Sequence, residues 1–292
     1  GNSVGFILGD YDPELPLVID PVLIFSTYTG STADNWGTTA TYDSYKNTYT
    51  AGLVFDLGYP TSLGAYDGTW NGNTDIGIFK FDTTGTQRLF ATYLGGSQAD
   101  MPHSMYVNTF DELVIFGTTG SRDFPVTPDA YDTSFNGGTS LQYENTTLIN
   151  FPNGSDIFVS RFSADGTQLQ ASTYVGGHDN DGLNYRQSYN RNYTIIMQGN
   201  DSLYFNYGDG ARGEIITDDM NNVYIGSTTM SGSFPVTDGC VQGMSLGQQE
   251  GIVFKLDYNL RNLGYAGPLV RHHHTYLIRL DIHQHLTTIG VG

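Results

Sequence analysis

The phrase Phe90-Ala91-Thr92-Tyr93-Leu94-Gly95-Gly96 returns twice, as Phe25-Ser26-Thr27-Tyr28-Thr29-Gly30 and as Ala171-Ser172-Thr173-Tyr174-Val175-Gly176-Gly177. A phrase that recurs at a fixed distance constrains a fold more than local propensity does, because each copy must fill an equivalent place among like units. Thr27 to Thr92 is 65 positions and Thr92 to Thr173 is 81. The surplus of 16 sits between Tyr131 and Asp156, which are 25 apart, whereas the matching pairs Tyr66–Asp75 and Val241–Glu250 are each 9 apart. The third unit carries its surplus elsewhere. Gly96 to Asp100 is 4 positions, while Gly177 to Asp209, read as its counterpart, is 32, an excess of 28. The unit is therefore 65 positions long, present three times, and a fourth copy is expected to open at Ala266.

Each unit offers four short strands. The first is the phrase itself. The second follows Asp34, Asp100 or Asp209, as in Met101 to Val107 or Ala211 to Thr217. The third is Tyr49 to Gly52, Leu113 to Thr119 or Val223 to Thr229. The fourth is Ile76 to Phe81, Ile157 to Phe162 or Ile252 to Leu256. Turns such as Thr84-Gly85-Thr86 and Asp165-Gly166-Thr167 separate them, and no segment has a capped 3.6-residue periodicity. Four strands per repeated unit predict an all-β fold of β-propeller-type blades, about three four-stranded antiparallel repeats. Three blades are fewer than the four to eight of a closed ring, so a partial propeller is expected. A β-solenoid is the runner-up, but this period is long for one coil. The predicted division is 1–22 as a linker or last strand of a preceding domain, 23–263 as blades in units starting near 25, 90 and 171, and 264–292 as a tail outside the pattern. The tail is set apart because five of the seven histidines fall in 272–285.

Composition narrows the partners. The formal charge is −18, with only 12 Lys and Arg. This argues against nucleic acid and anionic membrane surfaces, which require basic contacts. No apolar run approaches the ~20 residues of a membrane helix, so no membrane insertion is expected. Cys240 is the single cysteine, which excludes a disulfide framework and reads as a small buried hydrophobe.

The succession Ser-Thr-Tyr-x-Gly-Gly, Asp, Tyr-x-x-Gly-x-Thr, Phe-Pro-x-Thr, Asp-x-Phe-x-x-Lys/Arg-Phe and Asp-x-x-Gly resembles the SBBP (seven-bladed β-propeller) repeat. The resemblance covers roughly residues 18 to 263, and Val18-Ile19-Asp20-Pro21 is similar to the phrase that joins an upstream domain to such repeats. It implies a secreted or cell-surface bacterial protein of the Bacteroidota type, often one exported by type IX secretion, with the remaining blades of a larger propeller as partners. It names no catalytic constellation.

Each chemistry-bearing residue also has a plainer structural reading. His272, His273, His274, His283 and His285 contain His-x-His spacing, yet no carboxylate or Cys pattern completes a zinc motif. His178-Asp179-Asn180-Asp181-Gly182 and Asp218-Asp219-Met220-Asn221-Asn222 supply oxygens suited to calcium, but both read as solvated turns. No metal or other cofactor is expected, calcium being the one ion the acidic loops would suit. Asp34, Asp100 and Asp209 stand 18, 17 and 17 positions before Gly52, Gly117 and Gly226. An acid that obeys the repeat reads as an acceptor of backbone N–H bonds, and Asp75, Asp156 and Glu250 read likewise at the head of a strand. His103 falls in a repeated strand position and reads as a core or edge residue. No catalytic residue is assigned, and the chain is not expected to be an enzyme.

The binding surface is therefore sought where the repeat is broken. The two insertions, within Asp132 to Ser155 and within His178 to Gly208, occupy the third and first connections of their units. In a meander those connections emerge on one side. The expected contact residues are Tyr143 and Phe151 in one insertion and Tyr185, Arg186, Tyr189, Arg191 and Tyr193 in the other, since Tyr and Arg carry interface energy. The reading is a non-catalytic extracellular scaffold or adhesion module that binds a protein or a glycan. The alternative is a carbohydrate-active propeller enzyme with paired carboxylates.

Overall fold

The computed structural model describes residues 23–143, 149–184, 186–189, 195–198, 213–245 and 249–268. Its regular elements are all strands. The first sheet contains β1 (Asn35–Tyr42), β2 (Thr48–Val54), β3 (Asp75–Phe81) and β4 (Arg88–Leu94) in that order. The second contains β5 (Asp100–Val107), β6 (Leu113–Thr119), β9 (Asp156–Phe162) and β10 (Leu169–Val175), and the third β13 (Glu214–Thr217), β14 (Val223–Thr229), β15 (Glu250–Leu256) and β16 (Leu263–Pro268). Every neighbour pair in these three sheets is antiparallel. The described residues thus form three propeller-type blades, and these do not close on themselves. The innermost strand β5 lies against β1 of the blade before it and against β13 of the blade after it.

The blades are out of phase with the sequence repeat. The recurring phrase does not open a sheet; it closes the preceding one, with Thr92 in β4 opposite Ile78 and Thr173 in β10 opposite Val159. The expectation that Thr27 lies in an equivalent strand is therefore corrected. Residues 23–34 form no strand. The boundary at 263 is corrected too. β16 runs through Pro268 and pairs with β15, so the opening of the supposed tail completes the third blade. Main-chain pairing needs extended backbone rather than a particular phrase, and Leu263-Gly264-Tyr265-Ala266-Gly267-Pro268 supplies it at a sheet edge, where Pro is tolerated.

Two blade–blade cores hold the stack. Ile76, Ile78, Phe90 and Leu94 of the first blade pack on Met105, Ile115, Phe158 and Tyr174 of the second. Val114, Ile157, Val159 and Val175 of the second pack on Ile225, Ile252, Phe254 and Leu256 of the third. Because both faces of the middle sheet are covered, β9 is buried at every position. This is why its sequence, Asp-Ile-Phe-Val-Ser-Arg-Phe, does not alternate cleanly between apolar and polar.

The glycine of the Tyr-x-x-Gly-x-Thr phrase has a local cause. The inner strand is bulged between Gly37 and Thr39 in β1 and between Pro102 and Ser104 in β5. The bulge drives a carbonyl onto the neighbouring strand. A Cβ on Gly52 would sit 1.7 Å from the Trp36 oxygen, and one on Gly117 1.9 Å from the Met101 oxygen.

The third blade treats that spot differently. Asp181, not Asp209, takes the place of Asp100. Gly177 N–H donates to Asp181 Oδ2 at 2.7 Å as Gly96 N–H donates to Asp100 Oδ2 at 2.7 Å, and Asp181 bridges Thr229 as Asp100 pairs with Thr119. Asp209 lies outside the described residues. The inner strand is resumed at Glu214, opposite Gly226, as Ser104 is opposite Phe116. The second insertion therefore enters at the bulge of the inner strand, after Leu183 rather than after His178. Asp181 to Glu214 is 33 positions against 4 for Asp100 to Ser104, so the insertion adds 29 positions rather than 28.

Candidate interaction surface and the buried acid pairs

The two insertions build a fourth sheet together. It runs β11 (Arg186–Tyr189), β12 (Ile195–Gln198), β7 (Leu141–Tyr143), β8 (Asn150–Phe151). β7 and β8 belong to the first insertion, β11 and β12 to the second, and the two halves meet through the parallel pair β12–β7, with Ile195 opposite Leu141 and Met197 opposite Tyr143. Both insertions therefore stand on one rim, as the meander requires. The base of the first is clamped to the loop that begins the second. Asn180 Nδ2 donates to the Thr139 carbonyl at 2.9 Å, and Ser155 N–H donates to Asn180 Oδ1 at 3.0 Å.

The underside of β7 and β8 is core. Leu141, Ile149 and Phe151 are fully buried with Leu53 of the first blade, Ala99 and Met101 of the second, and Leu183 of the third. Phe151 is thus corrected from a contact residue to a core residue, with the surface of Gly120 close against its ring. The physical reason is that a two-stranded flap needs an apolar floor to be stable, and its aromatic residues point there first. Phe135 is half-buried, edge-on to Tyr174 at 5.9 Å with Arg122 5.8 Å over its ring. Of the other expected contact residues, Tyr143 lies in β7 and Arg186 and Tyr189 in β11, opposite Gln198 and Ile195. Tyr185, Arg191 and Tyr193 lie outside the described residues.

Beneath the same rim the repeated acids come together in pairs. A Cβ on Gly95 would be 2.8 Å from Asp75 Oδ1 and 2.9 Å from Asp100 Oδ2, so these oxygens are less than about 6 Å apart. Gly176 stands likewise between Asp156 Oδ1 at 2.7 Å and Asp181 Oδ2 at 2.9 Å. Each pair joins the head of one blade's third strand to the start of the next blade. All four carboxyls are fully buried. Backbone and hydroxyl donors hold them. Asn71 N–H donates to Asp75, Asn136 and Gly137 N–H to Asp156, Ser121 Oγ to Asp100 and Thr229 Oγ1 to Asp181. Burial is the main effect on their ionisation. It pushes Asp75 and Asp156 up to about 7 and Asp100 up to about 8, and raises Asp181 well above the usual range; the neighbouring carboxylate adds to the rise at Asp100 and Asp181.

At these pairs the expectations from sequence are partly met and partly corrected. Asp75, Asp100 and Asp156 are acceptors of backbone N–H bonds, as their repetition implies. The loop His178 to Gly182 is not a solvated turn, for Asn180 and Asp181 are buried. Its place is legible in the spacing, since Gly177 to Asp181 repeats the 4 positions of Gly96 to Asp100. The Asp218 loop is a hairpin closed on itself. Asp218 accepts from Met220 N–H, Asn222 N–H and Tyr224 Oη, at 2.9 to 3.0 Å. Asp43 does the same in the first blade with Tyr45 and Asn47. His103 is the extra residue of the β5 bulge. Its Nε2 is 3.1 Å from the Thr118 hydroxyl, its ring meets Phe116 edge-on, and burial pulls its pKa down to about 3. It is a neutral core histidine. Cys240 is a free, half-buried thiol packed near Gly267. The histidines of 272–285 lie outside the described residues.

Chemically, the rim offers buried acids locked by main-chain donors below and an insertion-built sheet above. A glycosidase needs its two carboxylates on either side of a bond that substrate can bring between them. Asp75/Asp100 and Asp156/Asp181 are enclosed, and they occur twice because the blade occurs more than once. No protein-family model and no curated protein matches the chain.

Proposed function

We propose that the chain is a non-catalytic scaffold or adhesion module of a secreted bacterial surface protein, of the SBBP-repeat kind, that works at the outer cell surface. It holds a protein or glycan partner through the sheet formed by its two insertions. The observation that carries the reading is the contrast between residues that obey the repeat and stretches that break it. The repeated carboxyls are buried and each accepts main-chain or hydroxyl donors. The two stretches that break the repeat converge on one rim in one sheet. Repeat proteins place their binding function in such unit-specific additions.

The test is a glycan array and a surface-protein binding screen run beside a hydrolysis assay, with the full chain and with an Arg186→Ala/Tyr189→Ala variant. The expected result is a ligand that the full chain retains and the double variant loses at unchanged thermal stability, with no turnover. Turnover that disappears in Asp100→Asn would replace this reading with the enzymatic one.

A further inference from the structure

The hairpin turns on the rim opposite the insertions share one geometry, yet the inner and outer ones differ at a single position. The inner turns join the first and second strands of each blade. The one in the middle blade lies where Val107 faces Leu113, at the far end from the Asp100–Thr119 pair beneath the insertions. Lys46 N–H donates to the Asp43 carbonyl, Asp111 to Asn108 and Asn221 to Asp218, and these donors have φ of 67°, 59° and 62°. The outer turns close the same way, Gly85 to Asp82, Gly166 to Ser163 and Leu260 to Asp257, with φ of 68°, 70° and 55°. The residue before the donor projects from the tip. In the outer turns it is Thr84, Asp165 or Asn259, all exposed. In the inner turns it is Tyr45, Phe110 or Met220, which are 73%, 61% and 78% exposed.

The turn itself does not call for an apolar tip, since the outer turns close with polar ones. What it uses is the backbone: Tyr45, Phe110 and Met220 N–H donate to the side chains of Asp43, Asn108 and Asp218 at 2.9 to 3.0 Å. Phe110 belongs to the middle blade, both of whose faces are covered, so its exposure does not come from a missing neighbour. The tips are also fixed to one another. Ser44 N–H and Oγ donate to Asp111 at 2.9 and 2.8 Å, and Thr109 N–H and Oγ1 donate to Asn221 Oδ1 at 3.0 and 2.9 Å. The result is a rigid row of apolar side chains held in water, with polar latches between them.

The chemistry around the row selects the partner. A bilayer would have to strip water from Asp111 and Asp219 without pairing them. A protein interface wants its apolar core contiguous, and here the latches interrupt it. Charge points to a neutral ligand. The chain carries −18, but Asp43, Glu112 and Asp218 of these turns are paired with Lys80, Arg161 and Lys255. Only Lys46, Asp111 and Asp219 remain, so the tips are nearly neutral on a strongly acidic molecule. Successive tips follow the spacing of packed sheets, about 10 Å, a span of a few sugar rings. We infer that the inner turns form a second binding surface, opposite the insertions, and that it takes a neutral polysaccharide strand laid across the blades. The C–H faces of the sugars stack on Tyr45 and Phe110 and rest on Met220, and their hydroxyls meet the latch groups between. This surface is independent of what the insertions bind.

The experiment is native electrophoresis of the full chain through gels containing a neutral β-glucan, a xylan or a galactomannan. The expected result is retardation by at least one of them, unchanged by salt, and about tenfold weaker in Phe110→Ser at the parent's melting temperature. Serine is chosen because polar residues already close the outer turns. Arg186→Ala/Tyr189→Ala should retain the retardation. Retardation that the insertion variant loses and Phe110→Ser keeps overturns the inference, as does the absence of retardation in all three gels. So does binding to phosphatidylcholine vesicles in place of polysaccharide. Should Phe110→Ser melt lower, peroxide footprinting of the unmodified chain decides. Saturating polysaccharide should slow oxidation of Met220 severalfold and leave Met244, which is 67% exposed in the connection from Thr229 to Glu250 on the insertion rim. Equal rates at Met220 with and without polysaccharide would remove the surface.

Discussion

Tyr174 and Tyr28 occupy the same place in the same phrase and meet opposite fates. Tyr174 is 1% exposed in β10, with its hydroxyl donating to the Ser121 carbonyl at 2.8 Å. Tyr28 is 94% exposed in a segment with no strand. Only Phe25 of that first copy is seated, on the turn at Gly85. The phrase therefore encodes a strand that can close a sheet, and the strands beside it decide whether it does. A local preference is realised only when tertiary partners are present.

The largest effects should separate the buried member of each such comparison from its open relative. Tyr174→Ala is expected to cost about 3–5 kcal/mol, the range for emptying a buried aromatic site, while Tyr28→Ala leaves the denaturation midpoint where it was. Phe151→Ala should cost a similar amount, about 3–5 kcal/mol, since the ring sits in a core shared by all three blades. If Phe151→Ala instead weakens ligand binding at constant stability, the floor of the insertion sheet has been misplaced.

A smaller effect is expected from the cations. Arg161 is bonded to Glu112 at 2.9 Å and stacked 3.9 Å from the Tyr258 ring, nearly excluded from water. Arg161→Ala should cost about 3 kcal/mol or more, because Glu112 is left buried without its counter-ion, held only by Asn108 and Tyr258. Lys255→Ala should cost under about 1 kcal/mol, its link to Asp218 being 3.6 Å long and partly solvated. Equal losses in urea titrations of the two variants would erase the distinction between a filled and an open blade face.

The pH dependence is expected to be the most specific of these signals. Asp75, Asp100, Asp156 and Asp181 have folded pKa values raised above the unfolded 3.8. Their protonated forms favour the fold, so the stability these four contribute is fully present below the unfolded value and declines as pH rises toward about 8. His103, held down at about 3, acts in the other direction and lowers stability as pH falls below 6.5. Four acids against one histidine should leave a net loss of stability between pH 5 and 8. Asp100→Asn should flatten that slope, and an unchanged slope in thermal melts would show that Asp100 is ionised in the fold.

Much of this is legible in the sequence. The period, the four strands per unit and the shared side of the insertions come from spacing alone, because equivalent residues in a repeat must occupy equivalent places. The phase of the blades is not legible. Whether Ala171 to Val175 pairs backward with β9 or forward with a later strand is a choice between two neighbours that both suit it. Counting back from Gly226 favours Asp209 over Asp181, but pairing puts Ser227, not Gly226, in the place of Gly117, since Thr229 faces Glu250 as Thr119 faces Asp156. Phe151 is ambiguous for a related reason. An aromatic residue in an insertion can face a partner or a floor, and only the presence of Leu53, Met101 and Leu183 beneath it decides.

The central claim is that two insertions distant in sequence form one sheet on one rim. A Gln142→Cys/Ile196→Cys pair in a Cys240→Ser background tests it directly, since these positions face each other across the parallel pair β7–β12. Mild oxidation followed by peptide mass analysis should recover a single intramolecular disulfide joining the two insertions, with thermal stability maintained. Recovery of both thiols free, or of cross-links only between molecules, would contradict the account.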